Sequence, residues 1–197
     1  RPKFDMTILH FNTEESKYHN CSPLVDNSVS LESISLSSTM TKNVKMIEEN
    51  QTIQTVCKVM YDNGVGSLVV VSVDKNDNLR PVGMITERDI VKIIALYPVN
   101  VLVREIMSKP IITIYPNSSL KDALQTMQSK NIRRLPVVEK GDGRLLGIIT
   151  DKDIFRAIMN NQQLVNSLSM NNELFKEHKT LLGQFSENML NDVFHIQ

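Results

Sequence analysis

The chain has 197 residues, with 22 Lys and Arg balanced by 22 Asp and Glu and only two cysteines, Cys21 and Cys57. That length holds one ordinary domain or two very small ones. The charge balance argues against a nucleic-acid binder that works by general electrostatic attraction, and the cysteine usage indicates no disulfide framework. The longest apolar runs, 67–73 and 89–97, are too short to span a bilayer and no secretory leader is visible, so the expected location is the cytoplasm, with no membrane partner.

Residues 1–38 are rich in Ser, Asn and Glu with little sustained period, and the first residue is Arg, the mark of a removed start or a fragment. His10, His19 and Cys21 lack a second close-spaced ligand pair, so chance proximity is the better reading and no metal is expected. Val29, Leu31, Ile34 and Leu36 read as a short extended piece that packs across the downstream module. An extended segment at 43–47 then leads to a helix on which Ile53, Val56, Cys57 and Met60 recur at helical spacing, with Cys57 read as a small buried hydrophobe and Asn63-Gly64 as the stop. Strands at 67–73 and 81–86 flank the turn Lys-Asn-Asp-Asn, and a helix follows from Glu87 to Tyr97.

The same order then returns. An extended segment at 110–115 precedes a helix with Ser118 or Ser119 as its N-cap and Leu120, Ala123, Leu124 and Met127 on its apolar face. Strands at 134–139 and 145–150 flank Lys-Gly-Asp-Gly, and a helix runs from Asp151 to Asn161. In the tail, Phe175, Leu182, Met189 and Ile196 fall seven apart, with His178, Leu181, Phe185 and Val193 filling in one face. This reads as an amphipathic helix broken near Gly183, which packs on its own module, mediates dimerisation or awaits a protein partner.

The two copies align residue by residue. Met40 meets Met107, Leu68 meets Leu135 and Val70 meets Val137 at an offset of 67; after the hairpin Gly83 meets Gly147, Thr86 meets Thr150 and Asp89 meets Asp153 at an offset of 64. The length difference sits in a turn, where a structural repeat tolerates it. The expected class is α+β: strand, helix, strand, strand, helix written twice and packed sheet against sheet as one pseudo-two-fold body. The expected divisions are a flank over 1–38, repeats over 39–97 and 98–160, and the helical tail over 161–197.

Each copy places Gly-h-h-Thr-x-x-Asp at a strand-to-helix junction: GMITERD at 83–89 and GIITDKD at 147–153. Threonine and aspartate three apart at a helix start make a capping arrangement that needs no ligand. The same arrangement aims a carboxylate and free N–H groups at a ligand. Both readings stay open on the residues alone.

The doubled junction, together with NIRRLPVV at 131–138, resembles the CBS domain pair, or Bateman module, over about residues 40–160. The resemblance implies that the aspartate holds the two ribose hydroxyls of an adenosine ligand and that each cleft draws on both repeats. One cleft would be lined by Met84, Thr86 and Asp89 with Ile112, Thr113, Ile132, Arg133, Arg134 and Pro136 opposite. The other would be lined by Ile148, Thr150 and Asp153 with Lys45, Met46, Val65, Gly66 and Ser67 opposite. Arginine grips phosphate with paired hydrogen bonds and Gly-Ser cannot, so the first cleft is expected to take the phosphorylated ligand. AMP, ADP or ATP stands ahead of S-adenosylmethionine or NAD, and no cofactor is required.

No serine or cysteine sits in a recognisable catalytic arrangement and no Gly-rich NTPase loop occurs, so an enzyme is not expected. The favoured function is a stand-alone homodimeric sensor of adenosine nucleotides. Two alternatives remain: a dimeric adaptor with unoccupied clefts, and a regulatory subunit detached from an enzyme or transporter.

Overall fold

A computed structural model describes residues 29–96 and 101–170. In chain order the first elements are α1 (Leu36–Thr39), β1 (Met46–Glu48), α2 (Ile53–Asn63), β2 (Ser67–Val73), β3 (Leu79–Thr86) and α3 (Glu87–Leu96). They are followed by α4 (Val103–Ile106), α5 (Leu120–Lys130), β4 (Arg134–Val138), β5 (Leu145–Thr150), α6 (Asp151–Met159) and α7 (Gln162–Met170). The helices start and stop where the sequence chemistry requires. Thr52 caps α2 and Gly64 ends it at φ 61°. Ser119 and Asp122 form a reciprocal capping box on α5, and Asn131 ends it at φ 51°. The tight turns bend at Asp77 and Gly143, both at positive φ.

In the first repeat β1 runs parallel to β2, and β2 pairs antiparallel with β3. In the second, β4 pairs antiparallel with β5 and the extended segment at 110–115 shrinks to one parallel bridge between Ile114 and Val137. Two prolines account for the loss. In the first repeat the N–H groups of Val69 and Glu49 donate to Lys45 O and Val71 O at 3.1 Å each. The equivalent positions are Pro136 and Pro116, which have no N–H to donate. Only the central pair survives: Ile114 N–H to Pro136 O at 3.0 Å and Val138 N–H to Ile114 O at 2.9 Å.

Alternation along the strands separates three apolar clusters. Leu68, Val70 and Ile85 face α2 in a first core with Ile53, Val56 and Met60, while Leu135, Val137 and Ile149 face α5 and α6 in a second. The opposite faces of the two sheets meet through Val44, Val69 and Val71, packed with Met46, Leu79, Met84, Ile111, Leu145 and Ile148. Each fully buried aliphatic side chain contributes about 1.5–3 kcal/mol.

The lead-in segments are exchanged between the repeats. Leu36 of α1 and Leu31 belong to the second core, and Val103 and Met107, on and just after α4, belong to the first. The exchange is symmetric: Leu36 N–H donates to Ser118 O at 3.0 Å and its equivalent Val103 N–H to Gln51 O at 2.9 Å. Thr41 and Ile148 exchange two hydrogen bonds of 2.9 Å, and Ser108 and Met84 do the same at 2.8 and 3.2 Å.

Two expectations change. Residues 29–36 do cover the module with Leu31 and Leu36, but as a turn closed by Ser33 N–H on Ser30 O and a single helical turn rather than an extended piece. Cys57 is exposed. Its equivalent Leu124 is 3% exposed in the cluster that holds Leu31, so the same helical position is core in one repeat and surface in the other. His10, His19, Cys21 and the tail beyond Met170 lie outside the described residues.

Candidate functional site: two helix-start junctions

Both Gly-h-h-Thr-x-x-Asp motifs form capping boxes at the heads of α3 and α6. The Thr86 N–H and hydroxyl each donate to Asp89 Oδ2 at 2.8 Å, and Asp89 N–H returns to Thr86 Oγ1 at 3.4 Å. At the second junction the same bonds measure 3.0, 2.7 and 3.2 Å. The capping reading therefore describes one carboxylate oxygen of each aspartate, and the ligand reading concerns the other. Among the described residues Asp89 Oδ1 has no partner, whereas Asp153 Oδ1 accepts from Arg156 at 3.3 Å. The position equivalent to Arg156 is Lys92, which makes no such contact among the described residues.

The motif glycines serve the exchanged segments. A Cβ at Gly83 would lie 2.5 Å from Met107 Sδ, and one at Gly147 would lie 2.8 Å from Met40 Sδ and 2.9 Å from Thr41 O. Glycine is required because a neighbouring strand crosses the sheet there.

Strand register pairs residues of the same repeat that were expected in different clefts. Ser67 stands opposite Thr86 and Val69 opposite Met84; Arg134 stands opposite Thr150 and Pro136 opposite Ile148. Leu135 and Val137 enter the second core, so Arg134, Pro136, Ile148 and Thr150 occupy the sheet face that looks toward the first repeat. Lys45 and Met46 run alongside β2, with Met46 packed between the sheets. Three residues pack instead against the cores: Ile112 and Ile132 on the second, Val65 on the first. Thr113 is exposed.

The arginine pair divides. Arg133 is 67% exposed, with its Nε 3.9 Å from Asp151 Oδ2. Arg134 is half-buried and has no carboxylate partner among the described residues. At the position equivalent to Arg133 the Glu87 carboxylate lies over Gly66, 3.0 Å from where a Cβ would stand. Sequence reasoning passed over Arg156, Asp151 and Glu87 as modifiers of the junctions. The Asp-x-x-Arg spacing of Asp153 and Arg156 was a readable signal for the first, since residues three apart share a helix face.

Two sheets joined back to back, arms exchanged, with a Thr–Asp box at the head of the last helix in each half, define a tandem module built from one repeated unit. The sequence matches the CBS domain over residues 32–96 and 103–160, and the chain belongs to that family. It is 35% identical to CBS domain-containing protein YhcV of Bacillus subtilis over 141 residues, 68% of this chain and 93% of that protein. An uncharacterized protein of Methanopyrus kandleri is 35% identical over 129 residues, 64% of this chain and 63% of that one. A homoserine O-acetyltransferase of Methanohalobium evestigatum is 36% identical over 123 residues, which make up 24% of its length. The chain thus spans under two thirds of these last two relatives. Among solved structures, the CBS domain pair of protein MJ0100 in complex with 5′-methylthioadenosine and S-adenosyl-L-methionine matches with a TM-score of 0.56 and 26% identity, over 64% of this chain and 96% of that one. No described helix is long and apolar enough to cross a membrane.

Proposed function

We propose that the chain is a regulatory module that binds an adenosine nucleotide of the AMP, ADP or ATP class at the Thr86–Asp89 junction and passes occupancy on through a change of module shape or dimer arrangement. One observation carries the preference for this junction: Asp89 keeps a carboxylate oxygen without a partner among the described residues, whereas Asp153 has its second oxygen engaged by Arg156. A ribose diol takes both acceptors of a carboxylate, so at the second junction it competes with a guanidinium already in place. Arg134 stands opposite Thr150 in strand register but on the sheet face that looks toward the first repeat; half-buried and uncommitted among the described residues, it is the phosphate partner of choice across the sheets. Arg133 contributes less because it is exposed and shares its charge with Asp151. The adenosine ligands of the MJ0100 domain pair support the ligand class. Regulation further requires that the ligand bind two shapes of the module differently.

Calorimetric titration of the protein with AMP, ADP and ATP tests the reading. Asp89→Ala and Arg134→Ala are each expected to weaken binding by about tenfold or more, the equivalent of about 1.4 kcal/mol. Asp153→Ala is expected to leave the tightest site within about twofold. Equal losses from both aspartates refute the asymmetry. No heat, and no rise in melting temperature with AMP, ATP, S-adenosylmethionine or NAD, refutes the sensor and favours an adaptor with unoccupied clefts.

A further inference from the structure

The internal repeat supplies its own comparison for the outer face of each last helix. In the second repeat, α7 packs on α6: Leu164 is 1% exposed, Ile158 is 6% exposed, and Phe155 and Val165 join the same cluster. In the first repeat the residues equivalent to Phe155 and Ile158 are Val91 and Ile94, and they are 68% and 71% exposed. A branched aliphatic at one position of one fold is thus core under a helix in one half and surface in the other. Apolar residues scattered singly need no explanation, but two one turn apart on one helix, both equivalent to residues of a covered face, mark a contact surface.

We propose that the segment 171–197 lays its apolar residues over α3, on Val91 and Ile94, and covers the first repeat as α7 covers the second. Residues 171–197 continue directly from the C-terminus of α7 at Met170. As a helix that segment extends about 40 Å, against about 15 Å for α3, so it is long enough to cover the exposed face of α3. Phe175, Leu182, Met189 and Ile196 recur every seven residues, with Leu181, Phe185 and Val193 beside them, and so supply an apolar stripe of the required kind. A tethered segment also acts at an effective concentration of about millimolar, which favours it over a second copy of the chain at micromolar protein.

The test uses the full chain with Val91→Glu and Ile94→Glu together, and a second variant with Leu182→Glu and Phe185→Glu. Because Val91 and Ile94 are exposed, the first variant leaves the cores intact, and circular dichroism checks this. Tail cleavage is followed by limited proteolysis, and mass by light scattering. Both variants are expected to raise tail cleavage by about tenfold or more, the equivalent of about 1.4 kcal/mol of lost docking, with mass unchanged. Unchanged cleavage in the α3 variant overturns the proposal. A halved mass with unchanged tail protection also overturns it and assigns the face to a second copy of the chain.

Discussion

Gly147→Ala isolates the contact on which the exchanged architecture turns. The new methyl would stand 2.9 Å from Thr41 O and 2.8 Å from Met40 Sδ. The thioether can swing aside. The carbonyl cannot, because Thr41 is fixed by its two 2.9 Å hydrogen bonds to Ile148, the neighbour of the substituted residue. Overpacking of this kind costs about 1–3 kcal/mol, and at about 2–4 °C per kcal/mol for a chain of this size the midpoint falls by about 2–12 °C. Gly83→Ala provides the contrast: its nearest neighbours are Met107 Sδ and Cγ at 2.5 and 2.8 Å, and the backbone oxygen of Ser108 stands back at 3.1 Å. A double-mutant cycle should therefore show stronger coupling for Gly83→Ala with Met107→Ala than for Gly147→Ala with Met40→Ala, because only the first clash is mainly with a side chain. Urea unfolding followed by circular dichroism measures all of these. A Gly147→Ala protein within about 0.5 kcal/mol of the parent refutes the close approach.

Thr150→Ala removes the acceptor of Asp153 N–H and a donor to its carboxylate, and should cost about 1 kcal/mol, with Thr150→Ser restoring most of it in the same unfolding assay. Leu124→Ala should cost about 2–5 kcal/mol while Cys57→Ala, at the equivalent helical position, stays within about 0.5 kcal/mol. Asp74 is held below the ordinary carboxylate range chiefly by the backbone N–H groups of Asn78 and Asn76, with Arg80 adding to them. Its lowered value means that its contribution is complete above the unfolded value of 3.8 and fades as pH falls through the folded one. Asp74→Ala should then differ from the parent at neutral pH and converge with it below pH 3.8 in a pH-dependent unfolding series.

Much of the fold was written locally. Helical spacing marked Leu120, Ala123, Leu124 and Met127, capping chemistry narrowed the cap to Ser118 or Ser119, of which the structure uses Ser119, and turn chemistry marked the turns that bend at Asp77 and Gly143. The repeat then fixed the element order. The exchange of Leu36 and Val103 between cores was not legible, because the two lead-in segments are equivalent and either assignment satisfies the same pattern of apolar residues. The shortened ladder at Ile114 was legible in principle from Pro116 and Pro136, but an apolar extended run hides a missing donor. Cys57 went astray for a different reason: a helix face is core only where something covers it, and among the described residues Leu31 joins the cluster of Leu124 in the second repeat with no counterpart at Cys57. At the junctions, sequence identified the threonines and aspartates as a unit, but spacing alone did not apportion the two oxygens of each carboxylate.

The exchanged arms also bear on how the two halves depend on one another. A solitary unit of this type has an arm with no partner to seal and a core with no arm to seal it, so it is complete only beside a second. Chains cut between the repeats should therefore find one another again, each carrying the closure of the other.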